Sequence, residues 1–281
     1  MLTAVLIFCS CMAALAALYL LAVMPHMAGK PDAEPFRKVL YAHRGLHDNH
    51  SPAPENSMAA FRKAVEGGYG IELDIQLTKD KVPVVFHDFT LKRVCGAEGK
   101  VSDYTFDELS QFRLCGSDER IPRFEEVLGL VDGKVPLIVE FKIELTDTSL
   151  CPIADEMLRG YGGLYCIESF NPLGVLWYRR HHREVMRGQL ADAFHREKQY
   201  GGLLYFLLEH LLLNFLTRPD FIAYNHRHAD MLSRRICHGL YHNTAVAWTI
   251  RSEEELDRAR KHFDIFIFDS FVPKCGSRVQ N

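Results

Sequence analysis

Two carboxylates are spaced to share a metal ion in the segment Ile71–Leu77. Apolar and polar residues alternate there, so Glu72 and Asp74 point to the same side of a predicted strand. Two carboxylates on one buried face repel each other, and burying both as anions costs free energy. A hard divalent cation relieves that cost, because oxygen ligands suit Mg²⁺ or Ca²⁺. We therefore predict that Glu72 and Asp74 are metal ligands.

The same spacing recurs at Glu140-Phe141-Lys142. Glu140 would complete the protein ligands of the metal, and Lys142 would reach an anionic group beside it. Taken alone, an inward glutamate and lysine also fit a simple ion pair. Together with Glu72 and Asp74, the pattern favours a site that holds both a cation and an anion.

Two histidines end short apolar segments. His43 follows Val39–Ala42 and precedes Arg44 and Gly45, and His87 ends the run Val82–His87. Imidazoles titrate near neutral pH, so this pair suits general acid and general base catalysis. Arg44 can hold phosphate oxygens with two hydrogen bonds, and Gly45 lets the backbone turn close to a ligand. The chain has 14 histidines, and most are assigned structural roles, including His47, His50, His181, His182, His226, His228 and His242.

Eight short apolar segments position these residues, and helical patterns separate most of them. This alternation predicts an α/β fold, a TIM-type (β/α)8 barrel whose site lies at the carboxyl ends of its strands. The predicted strands are Val39–His43, Ile71–Leu77, Leu137–Lys142, Leu164–Phe170, Val185–Leu190, Phe221–Asn225, Ala245–Ile250 and Ile265–Asp269.

One apolar run breaks the alternation. Only four residues separate Val82–His87 from the second strand, which predicts an antiparallel β-hairpin rather than a crossover. The hairpin would return His87 and Asp88 to the mouth of the barrel. Residues 89–127 are then a small insertion before the third barrel strand, with a short helix capped by Thr105.

The N-terminal segment predicts a membrane anchor. No charged side chain occurs from Leu2 to Met24, and a helix of that length reaches roughly 35 Å, enough to cross a bilayer. The alternative, a cleaved signal peptide, normally begins with basic residues that this segment lacks. We expect residues 1–24 to form one transmembrane helix and residues 25–38 a linker. Lys30, Arg37 and Lys38 favour a cytoplasmic catalytic domain at residues 39–281.

Charge and hydropathy limit the partners. The formal net charge is −3 over 281 residues, and no basic patch indicates a nucleic-acid partner. Leu203–Leu216 is almost wholly apolar, which fits either a helix buried by an oligomer contact or by the insertion, or a helix that rests on membrane lipid. The basic run Arg179–Arg183 fits a solvated surface or a contact with anionic lipid. The oligomeric state is left open.

The candidate metal ligands, histidines and phosphate contacts named above stand in motifs that resemble those of the glycerophosphodiester phosphodiesterases, in particular membrane-anchored, bacterial-type members. The resemblance runs in order from about residue 39 to the end. The motifs that carry it are His43-Arg44-Gly45, Pro54–Ser57, Glu72–Asp80, Val84–Asp88, Ile121–Leu128, Glu140–Lys142, Ser169-Phe170 and Trp248-Thr249.

The resemblance implies a barrel enzyme with a divalent metal, Mg²⁺ or Ca²⁺, and a role for each matched residue. It implies metal ligands at Glu72, Asp74 and Glu140, acid/base catalysts at His43 and His87, phosphate contacts at Arg44 and Lys142, and pocket residues at Glu55, Phe170 and Trp248. Two departures, Phe268–Phe271 at the last strand and Arg123 in place of threonine, concern the shape of the pocket.

The expected function is metal-dependent hydrolysis of glycerophosphodiesters to an alcohol and glycerol phosphate by two-histidine catalysis, with either water or the glycerol's own hydroxyl as the nucleophile. One alternative is action on membrane lipid headgroups, either as a lysophospholipase D or by formation of a cyclic phosphate. Another alternative is an inactive, membrane-associated lipid-sensing module. The expected partners are a glycerophosphodiester or lysophospholipid substrate and membrane lipid.

Overall fold

The computed structural model describes residues 1–198, 201–274 and 276–278. Its strands are β1 Tyr41–His43, β2 Gly70–Leu77, β3 Pro83–Val85, β4 Leu137–Phe141, β5 Tyr165–Ser169, β6 Arg187–Ala191, β7 Phe221–Asn225, β8 Thr244–Ile250 and β9 Ile265–Phe268. Its helices are α1 Leu2–Val23, α2 Met58–Glu66, α3 Lys92–Cys95, α4 Phe106–Leu109, α5 Phe124–Val131, α6 Leu150–Arg159, α7 Pro172–His181, α8 Leu203–Glu209, α9 Asn214–Thr217, α10 Leu232–Gly239 and α11 Glu253–Ala259.

Eight of the strands close a parallel barrel. The sheet order is β1-β9-β8-β7-β6-β5-β4-β2-β3, and β1 also pairs with β2. The alternating pattern of the sequence therefore predicted the TIM-type barrel correctly, because each apolar segment forms one strand of it. β3 pairs with β2 in antiparallel register, which confirms the predicted hairpin.

The insertion that follows the hairpin has an apolar core of its own. Val84, Phe86, Leu109 and Ile121 belong to one buried cluster that is separate from the barrel core. As predicted, Thr105 caps a short helix: its hydroxyl accepts from the N–H of Glu108 at the start of α4. The chain then returns through α5, which packs against α2 on the outside of the barrel.

An apolar plug fills the lower half of the barrel interior. It contains Tyr41, Ile138, Phe221 and Val246 from four different strands. Gly188 on β6 makes room for the ring of Phe221, because a Cβ at Gly188 would lie 2.1 Å from a carbon of that ring. One step further along the strands, the inward-facing side chains become polar, and the candidate site is built there.

The apolar stretch Leu203–Leu216 forms two helices rather than one. α8 ends at Glu209 and α9 begins at Asn214, and Leu211 between them has a φ of 54°. Glu209 and Asn214 are buried together with Leu208 and Leu211, whereas Leu203, Leu204 and Phe206 are exposed. The insertion therefore does not cover these exposed side chains, and an oligomer contact or a lipid contact stays open for them.

The N-terminal helix α1 meets the length and composition requirements of a membrane span, which a signal helix also meets. Only its C-terminal end contacts the barrel. Val23 is fully buried there, whereas Leu2 and Leu15 are exposed.

Gly188→Ala should destabilise the fold by about 1–3 kcal/mol, because the added methyl group must displace the Phe221 ring in a packed interior. The measurement is thermal or urea unfolding of the full chain in detergent. Gly129→Ala is the matched control, since a Cβ at that position in α5 meets nothing within 4 Å. That variant should be neutral or stabilising by up to about 1 kcal/mol through helix propensity. Equal stability of the two variants would contradict the packing account.

Candidate active site

Three buried carboxylates meet inside the mouth of the barrel. Glu72 and Asp74 point inward from β2, and Glu140 lies beside Asp74 in the parallel register of β2 and β4. Each residue offers an oxygen, and these oxygens all lie within 4.8 Å of one another. The strand alternation and the register together produce this convergence.

The cluster is strongly coupled electrostatically. Burial, followed by the charges of Asp74, Glu168 and Glu140, raises the pKa of Glu72 well above its usual value. Burial also opposes ionisation of Asp74, but the positive charges of His87, Lys142 and Arg44 outweigh it and lower the pKa of that carboxyl. The cluster therefore concentrates negative charge that nearby cations only partly balance.

The donor set fits a hard divalent cation. The Nζ of Lys142 lies 2.8 Å from Oε1 of Glu140 and 3.6 Å from Oδ1 of Asp74. The side chain of Asn56 donates to Oδ2 of Asp74 at 2.9 Å. Among the described residues, the other oxygen of that carboxylate, Oδ1, is buried and finds no hydrogen-bond partner. A buried acceptor of this kind, between two further carboxylates, is suited to Mg²⁺ or Ca²⁺.

His43 lies at the end of β1, beside the carboxylates. Its Nε2 is 3.9 Å from Oε2 of Glu72, and its Nδ1 is 3.1 Å from Oδ2 of Asp269. Burial and then the charge of Arg44 lower the pKa of His43 to about 4, although Asp269 opposes that shift. The ring is therefore held neutral, with one nitrogen bound to a carboxylate and the other facing the cluster.

Sequence reasoning missed Asp269 and His47 as parts of this site. The Nε2 of His47 lies 3.2 Å from Oδ1 of Asp269, so both histidines contact the same carboxylate. Asp269 follows the last barrel strand at its carboxyl end, and this position could have marked it as a candidate, because catalytic residues of such barrels occur there. His47 was assigned a structural role, because its spacing does not show that the turn after β1 brings it back to Asp269.

The hairpin brings His87 close to the cluster, because its charge acts on Asp74 and Glu140. The side chain of Gln76 donates to the carbonyl oxygens of Phe86 and Asp88 at 2.7 and 2.8 Å. The N–H of Phe86 donates to the carbonyl of Asp74 at 2.9 Å. The Nδ1 of His87 lies 2.6 Å from Oδ1 of Asp88. Backbone and side-chain bonds thus fix this imidazole, and a carboxylate orients it as Asp269 orients His43.

Arg44 occupies a constrained position above the carboxylates. Its φ is 56°, and its N–H donates to Oε2 of Glu72 at 3.2 Å. Its Nη1 donates to Oε1 of Glu55 at 2.7 Å, and its Nε lies 3.6 Å from Oδ2 of Asp74. Burial opposes ionisation of Glu55, but Arg93 and Arg44 outweigh it and lower its pKa to about 2. Glu55 therefore orients Arg44.

Aromatic rings form another wall of the site. Phe170 and Trp248 pack edge to face, with centroids 5.6 Å apart. The Nζ of Lys142 lies 5.9 Å from the centroid of Phe170. Glu168, a further residue that sequence reasoning missed, is buried on β5 beside Glu140 in the register. Burial and the charges of Glu140 and Asp74 raise the pKa of Glu168 well above its usual value.

Similarity to known proteins agrees with this geometry. The profile of the Glycerophosphoryl diester phosphodiesterase family matches residues 43–164. Glycerophosphodiester phosphodiesterase 1 of Mus musculus is 40% identical over 274 residues, which cover 84% of this chain and 78% of the mouse protein. The chain belongs to the glycerophosphodiester phosphodiesterase family. A family member from Caldanaerobacter subterraneus is 42% identical over 114 residues, which cover 38% of this chain and 46% of that protein.

Solved structures of the family share the fold. An Oleispira antarctica phosphodiesterase in complex with the product sn-glycerol-3-phosphate superposes with a TM-score of 0.65, covering 82% of this chain and 92% of that one at 23% identity. The glycerophosphodiester phosphodiesterase of Thermotoga maritima gives a TM-score of 0.63 at 24% identity, covering 82% of this chain and 94% of that one. At these identities the similarity establishes the barrel fold.

Proposed function

We propose that the protein is a metal-dependent phosphodiesterase that hydrolyses glycerophosphodiesters to glycerol phosphate and an alcohol by two-histidine catalysis. The observation that carries the proposal is the convergence of Glu72, Asp74 and Glu140 beside His43, with His87 close enough for its charge to act on Asp74. The family relationship supports the substrate class, as does the sn-glycerol-3-phosphate product bound to the Oleispira enzyme. An inactive sensing module would have no need to keep all of these groups.

Mg²⁺ or Ca²⁺ held by Glu72, Asp74 and Glu140 would supply Lewis-acid stabilisation of charge on the phosphoryl oxygens. Arg44 and Lys142 bind the phosphodiester and stabilise the same negative charge. Glu55 orients Arg44, and Glu140 orients Lys142. These are the phosphate and metal roles that the sequence predicted.

The two imidazoles move the protons. One histidine removes a proton from the attacking water, and the other protonates the alcohol oxygen as its bond to phosphorus breaks. A carboxylate orients each of the two rings: Nδ1 of His43 contacts Asp269, and Nδ1 of His87 contacts Asp88. A carboxylate at Nδ1 fixes the tautomer, so Nε2 of each ring exchanges the proton. Phe170 and Trp248 shape the pocket beside Lys142.

Removal of one ligand should abolish cation binding. At about 100 times the dissociation constant, a bound cation adds about 2.7 kcal/mol of stability, which corresponds to a rise in Tm of about 5–10 °C for a chain of this size. We expect this rise for the unmodified chain with Mg²⁺ or Ca²⁺ and its loss in Asp74→Asn and Glu140→Gln. Asp155→Asn, which changes a buried carboxylate on the outer helix α6, should keep the rise. If Mg²⁺ or Ca²⁺ still raised the Tm of Asp74→Asn, the assignment of Asp74 as a metal ligand would be wrong.

His43→Ala and His87→Ala should each lower kcat for glycerophosphocholine by about 10²–10⁴. Asp269→Asn should lower kcat by a smaller factor, since it alters only the orientation of His43. His50→Ala is the control, because His50 is exposed on the loop that follows β1. We expect this variant to have unchanged turnover. Near-normal turnover in either His43→Ala or His87→Ala would contradict the two-histidine mechanism.

A further inference from the structure

Large apolar side chains that the described barrel exposes to solvent are concentrated on three consecutive helices. They lie on α8, α9 and α10: Leu203, Leu204, Phe206, Phe215, Leu216 and Leu232. Exposed large apolar side chains grouped on consecutive helices are unusual on a monomeric soluble protein and favour a protein or membrane contact. We call these six residues the apolar face.

The end of α1 is fixed within this apolar face. The buried side chain of Asn214 on α9 donates to the carbonyl of Val23 at 3.0 Å. From the other side, the thiol of Cys237 on α10 contacts the same oxygen at 3.3 Å, and the hydroxyl of Tyr241 donates to the carbonyl of Leu20 at 2.9 Å. A helix long and apolar enough to span a bilayer therefore leaves the barrel between the helices that carry the apolar face.

Basic residues border the same face. Arg179 at the end of α7 donates to the carbonyls of Phe215 and Leu216 at α9. Burial lowers the pKa of Arg179, and the neighbouring charges of Arg218, Arg183 and Arg180 lower it further. An apolar surface flanked by arginines is the composition that binds a bilayer containing anionic lipid, and it distinguishes lipid from a purely apolar protein partner.

Aromatic rings connect the apolar face to the active site. Trp248 packs on Phe170 in the pocket, and Phe170 packs on Phe194 with centroids 6.0 Å apart. Phe194 in turn packs on Tyr205 of α8 at 5.3 Å. A series of ring contacts, the aromatic track, thus joins the wall of the candidate catalytic pocket to the helix that carries Leu204 and Phe206.

We propose that the apolar face rests on the bilayer that α1 crosses, and that the aromatic track admits glycerophosphodiesters bearing a long hydrocarbon chain directly from that bilayer. The first part stands on the surface alone, and the second part rests on the proposed function. The headgroup end of such an amphiphile would reach the catalytic carboxylates while its chain follows Phe170, Phe194 and Tyr205 toward lipid. Lysophospholipids are the substrate class with this shape.

Depth-dependent fluorescence quenching tests the surface without any assay of activity. The full chain carrying Leu204→Trp is reconstituted into nanodiscs of phosphatidylcholine and phosphatidylglycerol, with and without brominated phosphatidylcholine. Leu145→Trp is the matched control, because Leu145 is exposed on the loop after β4, two strands around the barrel from β6, which precedes α8. After subtraction of the signal of Trp177 and Trp248, we expect bromolipid to quench the probe at 204 at least threefold more than the probe at 145. Equal quenching, or stronger quenching at 145, would overturn the proposal.

Kinetics in two substrate arms test the delivery of substrate. The double variant Leu204→Ser/Phe206→Ser should hydrolyse lysophosphatidylcholine in nanodiscs five- to tenfold more slowly than the unmodified chain, with unchanged turnover of water-soluble glycerophosphocholine. Leu145→Ser should leave both rates unchanged. Equal loss in both arms, or loss in neither, would refute delivery from the bilayer. If the unmodified chain hydrolyses neither substrate with Mg²⁺ or Ca²⁺ present, the proposed function fails, while the quenching result still decides the surface.

Discussion

Concentrated negative charge at the mouth of a closed barrel is the constraint around which the rest of the site is arranged. Glu72, Asp74 and Glu140 are held within 4.8 Å of one another by strands whose hydrogen bonds leave them no freedom to separate. Buried like charges at this distance must be neutralised by protons or by cations. Lys142 and Arg44 supply part of that neutralisation, and a divalent cation is the remaining group of the right size and hardness.

The barrel fold supports this charge because its two halves differ in polarity. Below the carboxylates, Tyr41 and Phe221 fill the interior so completely that β6 requires a glycine at position 188. Above that plug, the same strands point glutamate, aspartate and histidine inward. The apolar half provides the packing that keeps the strands in register, and the register then forces the polar side chains together. The low dielectric of the plug also strengthens every charge interaction above it.

The sequence predicts those features of the fold and the site that depend on interactions between residues close together in the chain. The alternation around Glu72 and Asp74 is a property of one strand, and the four-residue link before Val82 is a property of one turn, so both were predictable. The contact of His47 with Asp269 depends on closure of β9 against β1, more than 200 residues apart in sequence, and no local pattern encodes it. Glu168 was missed for the same reason, because its importance comes from the register between β4 and β5.

The apolar exposure of α8 and α9 is the other feature that sequence left undecided. Glu209 and Asn214 are buried and bond to His195 and to the carbonyl of Val23, so the exposed side chains of the two helices are apolar. A soluble barrel gains nothing from this arrangement, since exposed Leu203 and Leu204 lose the free energy that burial would give. Where α1 is embedded in a bilayer, the same side chains are buried by lipid. A bilayer would thus bury both α1 and the apolar face, and the ring contacts from Tyr205 to Trp248 join that face to the wall of the candidate site.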